Sequence, residues 1–194
     1  MITAIVLAAG ASRRFGSQKL LAPLQGRPLV RWTVESVLAA RPDEVIVVVG
    51  CEGDAVRDAL SGLAVRIIVN ERWEHGMGGS LRAGISALAP GGDAVLIALG
   101  DQPGVDAGVI AALIEAWREG KRPIVAPSYR GERGHPVIFA SELLSELSAV
   151  DGDRGARDVI TRDPSRLTLV ELDAPAPLDV DTEAELERVR EGPR

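Results

Sequence analysis

Apolar residues in this chain come in short unbroken runs. Ile2–Ala8 opens the series and ends in Ala9-Gly10, and similar runs follow at Glu44–Val49, 65–69 and Ala94–Leu99. Each is too short for a typical helix, so they are predicted as buried strands of a mostly parallel sheet. Between them the period changes. Val30, Val34, Val37 and Leu38 stand at i, i+4, i+7 and i+8 behind Pro28, and Leu81, Ile85 and Leu88 repeat the helical spacing. A third helix is signalled by Asp106 as N-cap ahead of Val109, Ile110, Leu113, Ile114 and Trp117, one apolar stripe laid against the sheet. A strand at 124–126 follows it.

Further along, the regular alternation breaks down. Residues 137–139 read as a strand, 143–147 and 156–161 as short helices, Leu167–Leu172 as a strand, 174–177 as a loop and 183–190 as the last helix. Strand and helix alternating over the first two thirds predict a single α/β domain over 1–194, with three layers and a mostly parallel, Rossmann-like sheet. Ligands of such sheets sit in the crevice beyond the carboxyl ends of the strands, so functional residues are sought there.

Composition narrows the chemistry. With 194 residues and 46% hydrophobic content the chain is long enough to bury a full core. The apolar start lacks a basic flank and soon meets Gly10, Arg13 and Arg14, which predicts neither signal peptide nor membrane span and hence a cytoplasmic protein. One cysteine and two histidines cannot assemble a Cys/His metal cluster. Cys51 has no basic neighbour and reads as an ordinary half-buried thiol. The net charge of −6 disfavours nucleic acid and anionic membranes as partners. An anionic substrate needs a local basic site.

That site is offered by Leu7-Ala8-Ala9-Gly10-Ala11-Ser12-Arg13-Arg14-Phe15-Gly16-Ser17-Gln18-Lys19, after the first strand. Small residues let the backbone approach a ligand, free N–H groups cradle phosphate oxygens, and Arg14 and Lys19 bring positive charge. The loop lacks the Gly-Lys-Ser/Thr of a Walker A motif, and Gly10 and Gly16 are too far apart for a dinucleotide turn. At the end of the 94–99 strand, Gly100-Asp101-Gln102-Pro103 leaves a carboxylate where the crevice is expected, suited to magnesium. Asp179-Val180-Asp181-Thr182 adds two carboxylates on one face of an extended segment. Either completes a magnesium site with Asp101, or both serve to cap the last helix.

Asn70 to Ser80 follows the third strand and leads into a helix. Gly78 and Gly79 would permit close approach of a nucleotide, and Ser80 would contact it or cap the helix. Gly134-His135-Pro136 precedes another strand, where a histidine is more often a surface or packing residue than a ligand. Trp32 and Trp117 fall on apolar helical stripes and are predicted in the core.

Taken together these segments resemble the molybdenum cofactor cytidylyltransferases, relatives of the guanylyltransferases of the same cofactor among the NTP transferases. The likeness spans essentially the whole chain. It rests on Leu7-Ala8-Ala9-Gly10 with Ser12, Arg14, Gly16 and Lys19, on Gly76-Met77-Gly78 with Ser80, on Gly100-Asp101-Gln102-Pro103 and on Gly134-His135-Pro136. Gly152-Asp153-Arg154-Gly155-Ala156-Arg157 and Asp179-Val180-Asp181-Thr182 complete it. The resemblance implies a nucleotidyltransferase fold, triphosphate binding by the first loop with Arg14 and Lys19, and magnesium on Asp101. It implies acceptor binding, with a pterin phosphate as acceptor, at Gly134, His135, Pro136, Asp153, Arg154 and Gly155. Alanine at position 9, where the guanylyltransferases carry glycine, implies CTP, and the product would pass to a molybdenum hydroxylase. Phe15 departs from the methionine common in the family, and Gly79 from a small hydroxyl residue. A different phosphorylated acceptor such as a sugar phosphate, use of GTP, and a non-catalytic cofactor carrier are the rival readings.

Overall fold

A computed structural model describes residues 1–120, 122–152 and 155–191. In chain order the elements are β1 (Ile2–Ala8), a small hairpin of β2 (Pro23–Leu24) and β3 (Arg27–Pro28), α1 (Leu29–Ala39), β4 (Glu44–Val49), α2 (Gly53–Ala59) and β5 (Arg66–Val69). Next come α3 (Met77–Ser86), β6 (Ala94–Leu99), α4 (Ala107–Glu119), β7 (Ile124–Tyr129), β8 (Glu132–Arg133) and β9 (Val137–Ala140). The chain ends with α5 (Leu144–Ser148), α6 (Arg157–Arg162), β10 (Leu167–Leu172) and α7 (Glu183–Glu191). Apart from the hairpin, the strands form one sheet in the order β10-β7-β9-β6-β1-β4-β5, with β8 beside β7. β1 runs parallel to β4 and β6, β4 to β5, and β7 to β10. β9 is inserted antiparallel between β6 and β7, and the short β8 also runs antiparallel to β7.

Both faces of the sheet are covered, which is why its strands read as continuous apolar runs. Ala4, Val6, Val47, Leu96 and Ile138 face α1, α4 and α7 through Val34, Val37, Ile110, Leu113 and Leu186. Ile5, Ile46, Val48, Ile97 and Phe139 face α3, α5 and α6 through Leu81, Leu147 and Ile160. Alternate residues thus serve opposite layers, giving the expected three-layer α/β arrangement with a mostly parallel sheet.

Local differences have local causes. α2 was not anticipated: Gly-Asp-Ala-Val-Arg-Asp-Ala buries only Val56, too little to show a helical stripe. β7 runs on through Pro127 and Ser128, both buried, where the sequence reading stops at 126. Asp106 caps α4 as predicted, accepting from the Gly108 N–H at 2.7 Å. Trp32 and Trp117 border the core, both partly buried. Trp32 donates its indole N–H to Leu24 O at 3.0 Å and carries the Arg27 guanidinium 3.8 Å above its ring, a cation–π stack. No helix among the described residues is long and apolar enough to cross a membrane.

Candidate active site

The first loop leaves β1 between the carboxyl ends of β4 and β6, and a buried side chain shapes it. Gln18 donates its amide N–H groups to Gly10 O at 3.1 Å and Cys51 O at 3.0 Å, and its oxygen accepts from the Ser12 hydroxyl at 2.8 Å. Sequence reasoning passed over Gln18, although a polar residue between Gly16 and the 3-10 turn at Lys19–Leu21 was the available signal. Cys51 sits behind the loop, half-buried. Burial and the neighbouring Glu52 and Glu74 push its thiol up, so it stays protonated.

A cleft of about 380 Å³ opens beyond the strand ends. Its walls include Leu7, Ala8, Ala9, Gly10, Ser12, Arg14, Lys19, Ser80, Asp101 and Asp181 from the sequence reading, together with Arg13, Trp73 and Met77. Asn70, Gly78 and Gly79 are not in these walls. Asn70 is buried and donates to the Ser80 hydroxyl at 3.1 Å, so it braces Ser80 from behind. Ser80 is not a cap: α3 begins at Met77, with Gly76 at its N-cap position. A Cβ on Gly78 would come within 2.7 Å of Val150 O, so this glycine lets the segment before α6 lie against the first turn of α3.

Charge converges at one end of the cleft. Lys19 Nζ lies 2.6 Å from an oxygen of Asp101 and 2.6 Å from one of Asp181, and Arg14 reaches the other Asp181 oxygen at 2.6 Å. The Lys19 side chain is only 11% exposed against 73% for Arg14, so one cation is enclosed by the protein and the other faces solvent. Burial works against the Lys19 charge, but Asp101 and Asp181 outweigh it and hold its pKa above the usual lysine value. Burial likewise raises Asp181, yet Lys19 and Arg14 keep its carboxyl below the ordinary aspartate value.

Asp179 lies two residues away with a different partner, accepting from Gln102 Nε2 at 2.6 Å. Partial burial of its carboxyl raises its pKa, offset in part by that hydrogen bond. Neither aspartate caps α7. Thr182 Oγ1 accepts from the Glu185 N–H at 3.3 Å, while the Glu185 carboxylate accepts from the Thr182 hydroxyl and the Asp181 N–H, close to a capping box.

The donor set suits a hard divalent ion. Two carboxylates already face a common cation, the Lys19 ammonium, at hydrogen-bond distance. No group of three or more His, Cys, Asp or Glu side chains gathers for a metal among the described residues. Two carboxylates with the balance from phosphate and water is the usual arrangement for magnesium.

On the other side, antiparallel pairing of β9 with β6, Val137 against Ile97, carries His135 back towards the end of β6 that bears Asp101. Burial lowers the His135 pKa below 6.5, with Asp101 opposing and Arg133 reinforcing the effect. Its carbonyl accepts from the Tyr129 hydroxyl at 3.0 Å, and the His135–Pro136 peptide is cis. Gly155 has φ +54°, and a Cβ there would meet Met77 Sδ at 2.7 Å, so Gly155 lies against a residue of the cleft wall. Gly134, His135 and Pro136 are not among the residues lining the cleft itself. Asp153 and Arg154 lie outside the described residues.

Residues 4–167 match the MobA-like NTP transferase domain. The chain belongs to this family. A curated relative of the MobA-like transferase, nicotine blue oxidoreductase from Paenarthrobacter nicotinovorans, is 35% identical over 97% of this chain and 96% of its own length. Among solved structures, Rv0371c from Mycobacterium tuberculosis H37Rv superposes with a TM-score of 0.91 at 30% identity, covering 98% of this chain and 97% of that one. A second structure, Rv0371C from the same organism in complex with manganese, gives a TM-score of 0.86 at 28% identity and covers 99% of both chains.

Proposed function

We propose that this MobA-like transferase moves CMP from CTP to the terminal phosphate of molybdopterin, releasing pyrophosphate, with a magnesium ion held by Asp101 and Asp181. The observation that carries the reading is the convergence of those two carboxylates on Lys19 at the end of a small-residue loop. The manganese complex of the similar mycobacterial protein supports the use of a divalent ion. The glycine spacing of the first loop is not that of a dinucleotide turn, which favours nucleotidyl transfer over the oxidoreductase activity named for the Paenarthrobacter relative.

In this reading the backbone N–H groups of Ala9 to Ser12 and the cations of Arg14 and Lys19 hold the triphosphate, and Ser80, braced by Asn70, meets the nucleoside. Lys19 exchanges its carboxylate partners for phosphate oxygens as the nucleotide enters. When bound, the magnesium ion supplies Lewis-acid stabilisation of phosphate charge. An oxygen of the acceptor phosphate forms the new bond to the α-phosphorus as the bond to pyrophosphate breaks in line. A phosphate monoester is nucleophilic near neutral pH, so no general base is needed and catalysis is positioning with charge neutralisation. His135, with Gly134, Pro136 and Gly155, stands on the acceptor side in this reading. The setting is cytoplasmic, with a molybdenum hydroxylase receiving the product.

Pyrophosphate release by purified protein, with magnesium and each of the four NTPs, with and without molybdenum-loaded pterin phosphate, tests the proposal. Release with CTP that requires the pterin is the expected result. Release with GTP would change the donor, and release only with a sugar phosphate would change the acceptor. Nucleotide binding with no release from any combination would favour a carrier.

A further inference from the structure

Asp101 and Asp181 arrive from distant parts of the chain, and their shared cation position demands that two loops be held in register. Two cross-links do this. The Val180 N–H donates to Asp101 O at 3.1 Å, and Gln102 Nε2 donates to Asp179 Oδ1 at 2.6 Å. They interleave: residues 101 and 102 of one loop each grip the residue preceding or two before Asp181 on the other. Val180 is fully buried and Gln102 is 6% exposed, so the clamp is anchored in the protein. Gln102 also keeps a buried amide oxygen with no hydrogen-bond partner among the described residues, an unfavourable arrangement that an apolar residue would avoid. Its retained partner is Asp179.

We infer that Gln102 and Asp179 form a positioning pair that sets the spacing of the Asp101 and Asp181 carboxylates, with Asp179 outside the metal's own ligands. The inference rests on the reading of Asp101 and Asp181 as the metal-holding pair. Asp179 has one oxygen committed to Gln102, whereas Asp181 shares the Lys19 ammonium with Asp101. Losing partners of this outer kind commonly weakens metal binding about 10- to 100-fold.

The test is Mn²⁺ titration followed by electron paramagnetic resonance, in the presence of CTP, with thermal melts to confirm folding. Asp181→Asn should lose most Mn²⁺ binding. Asp179→Ala and Gln102→Met should each weaken it about 10- to 100-fold, and the double variant should be no worse than either alone, because both remove one bond. Asp179→Asn drops the same charge as Asp179→Ala but keeps an oxygen for Gln102, so it should retain most of the affinity. The gap between those two variants isolates the hydrogen bond. Asp179→Asn as damaging as Asp181→Asn would make Asp179 a ligand and overturn the inference, and unchanged binding in Asp179→Ala would overturn it equally. Wild-type protein that binds Mn²⁺ but releases no pyrophosphate would defeat the transfer reading while the titrations still decide the positioning pair.

Discussion

The two parts of the sheet are built differently. In one part β6, β1, β4 and β5 run parallel to one another, and polar segments follow strand ends directly: the loop after β1, Asn70 after β5 and Asp101 after β6. From β7 onward the order is scrambled, β9 runs against β6 and β7, and the segments facing the site come before strands or between short helices. The parallel part carries the groups suited to a nucleotide. The mixed part brings His135 and Gly155 around the other side of Asp101 and the cleft. A parallel strand end delivers chemistry locally, because helix and strand alternate in sequence as in space. An antiparallel insertion delivers it only once the partner strand is in place.

The sharpest break between the two parts is Asp101→Ala. It should lower kcat for pyrophosphate release by at least about 1,000-fold with every acceptor, while circular dichroism and melting stay close to wild type. Magnesium-dependent activity surviving in that variant would remove Asp101 from the site. Phe139→Ala acts on the strand that joins the two parts. Phe139 is fully buried on β9, and its loss should cost about 3–5 kcal/mol in urea unfolding, whatever happens to catalysis.

Gly78→Ala works on the seam between α3 and the segment before α6. The new methyl meets backbone at 2.7 Å, which cannot swing aside, so about 1–3 kcal/mol of stability should go. Its KM for the acceptor should rise more than its KM for the nucleotide. Equal effects on both would mean that the two sides of the cleft are not separable.

The smallest effect belongs to His135. Its folded pKa lies below the 6.5 of the unfolded chain, so the unfolded state takes up a proton first as pH falls. Wild type should therefore lose stability relative to His135→Gln as pH drops below 6.5, levelling off once the folded ring also protonates. Parallel melting curves over that range would contradict a ring held neutral by burial.

Much of this was legible along the chain. Buried parallel strands need apolar residues on both faces, so β1, β4 and β6 declared their full extent, and the Asp106 cap marked α4 to within a residue. α2 stayed hidden because one buried valine makes no periodic signal. A cap was one of two readings open for Ser80 because the apolar stripe begins at Leu81, yet glycines can extend a helix start without showing any stripe. Gln18 and Gln102 stood in the quoted segments without a role of their own, because an amide becomes informative only when its surroundings are dry.

By itself the sequence determined the α/β layering, the phosphate-suited loop after β1 and the carboxylate after β6, since all three follow from patterns within one strand-turn unit. Asp179 and Asp181 are chemically identical and two residues apart on one extended stretch, and nothing local separates them. Only the tertiary structure divided them, giving one to Gln102 and the other to Lys19 and Arg14, because hydrogen bonds between residues far apart in sequence exist only when the sheet has brought their loops together.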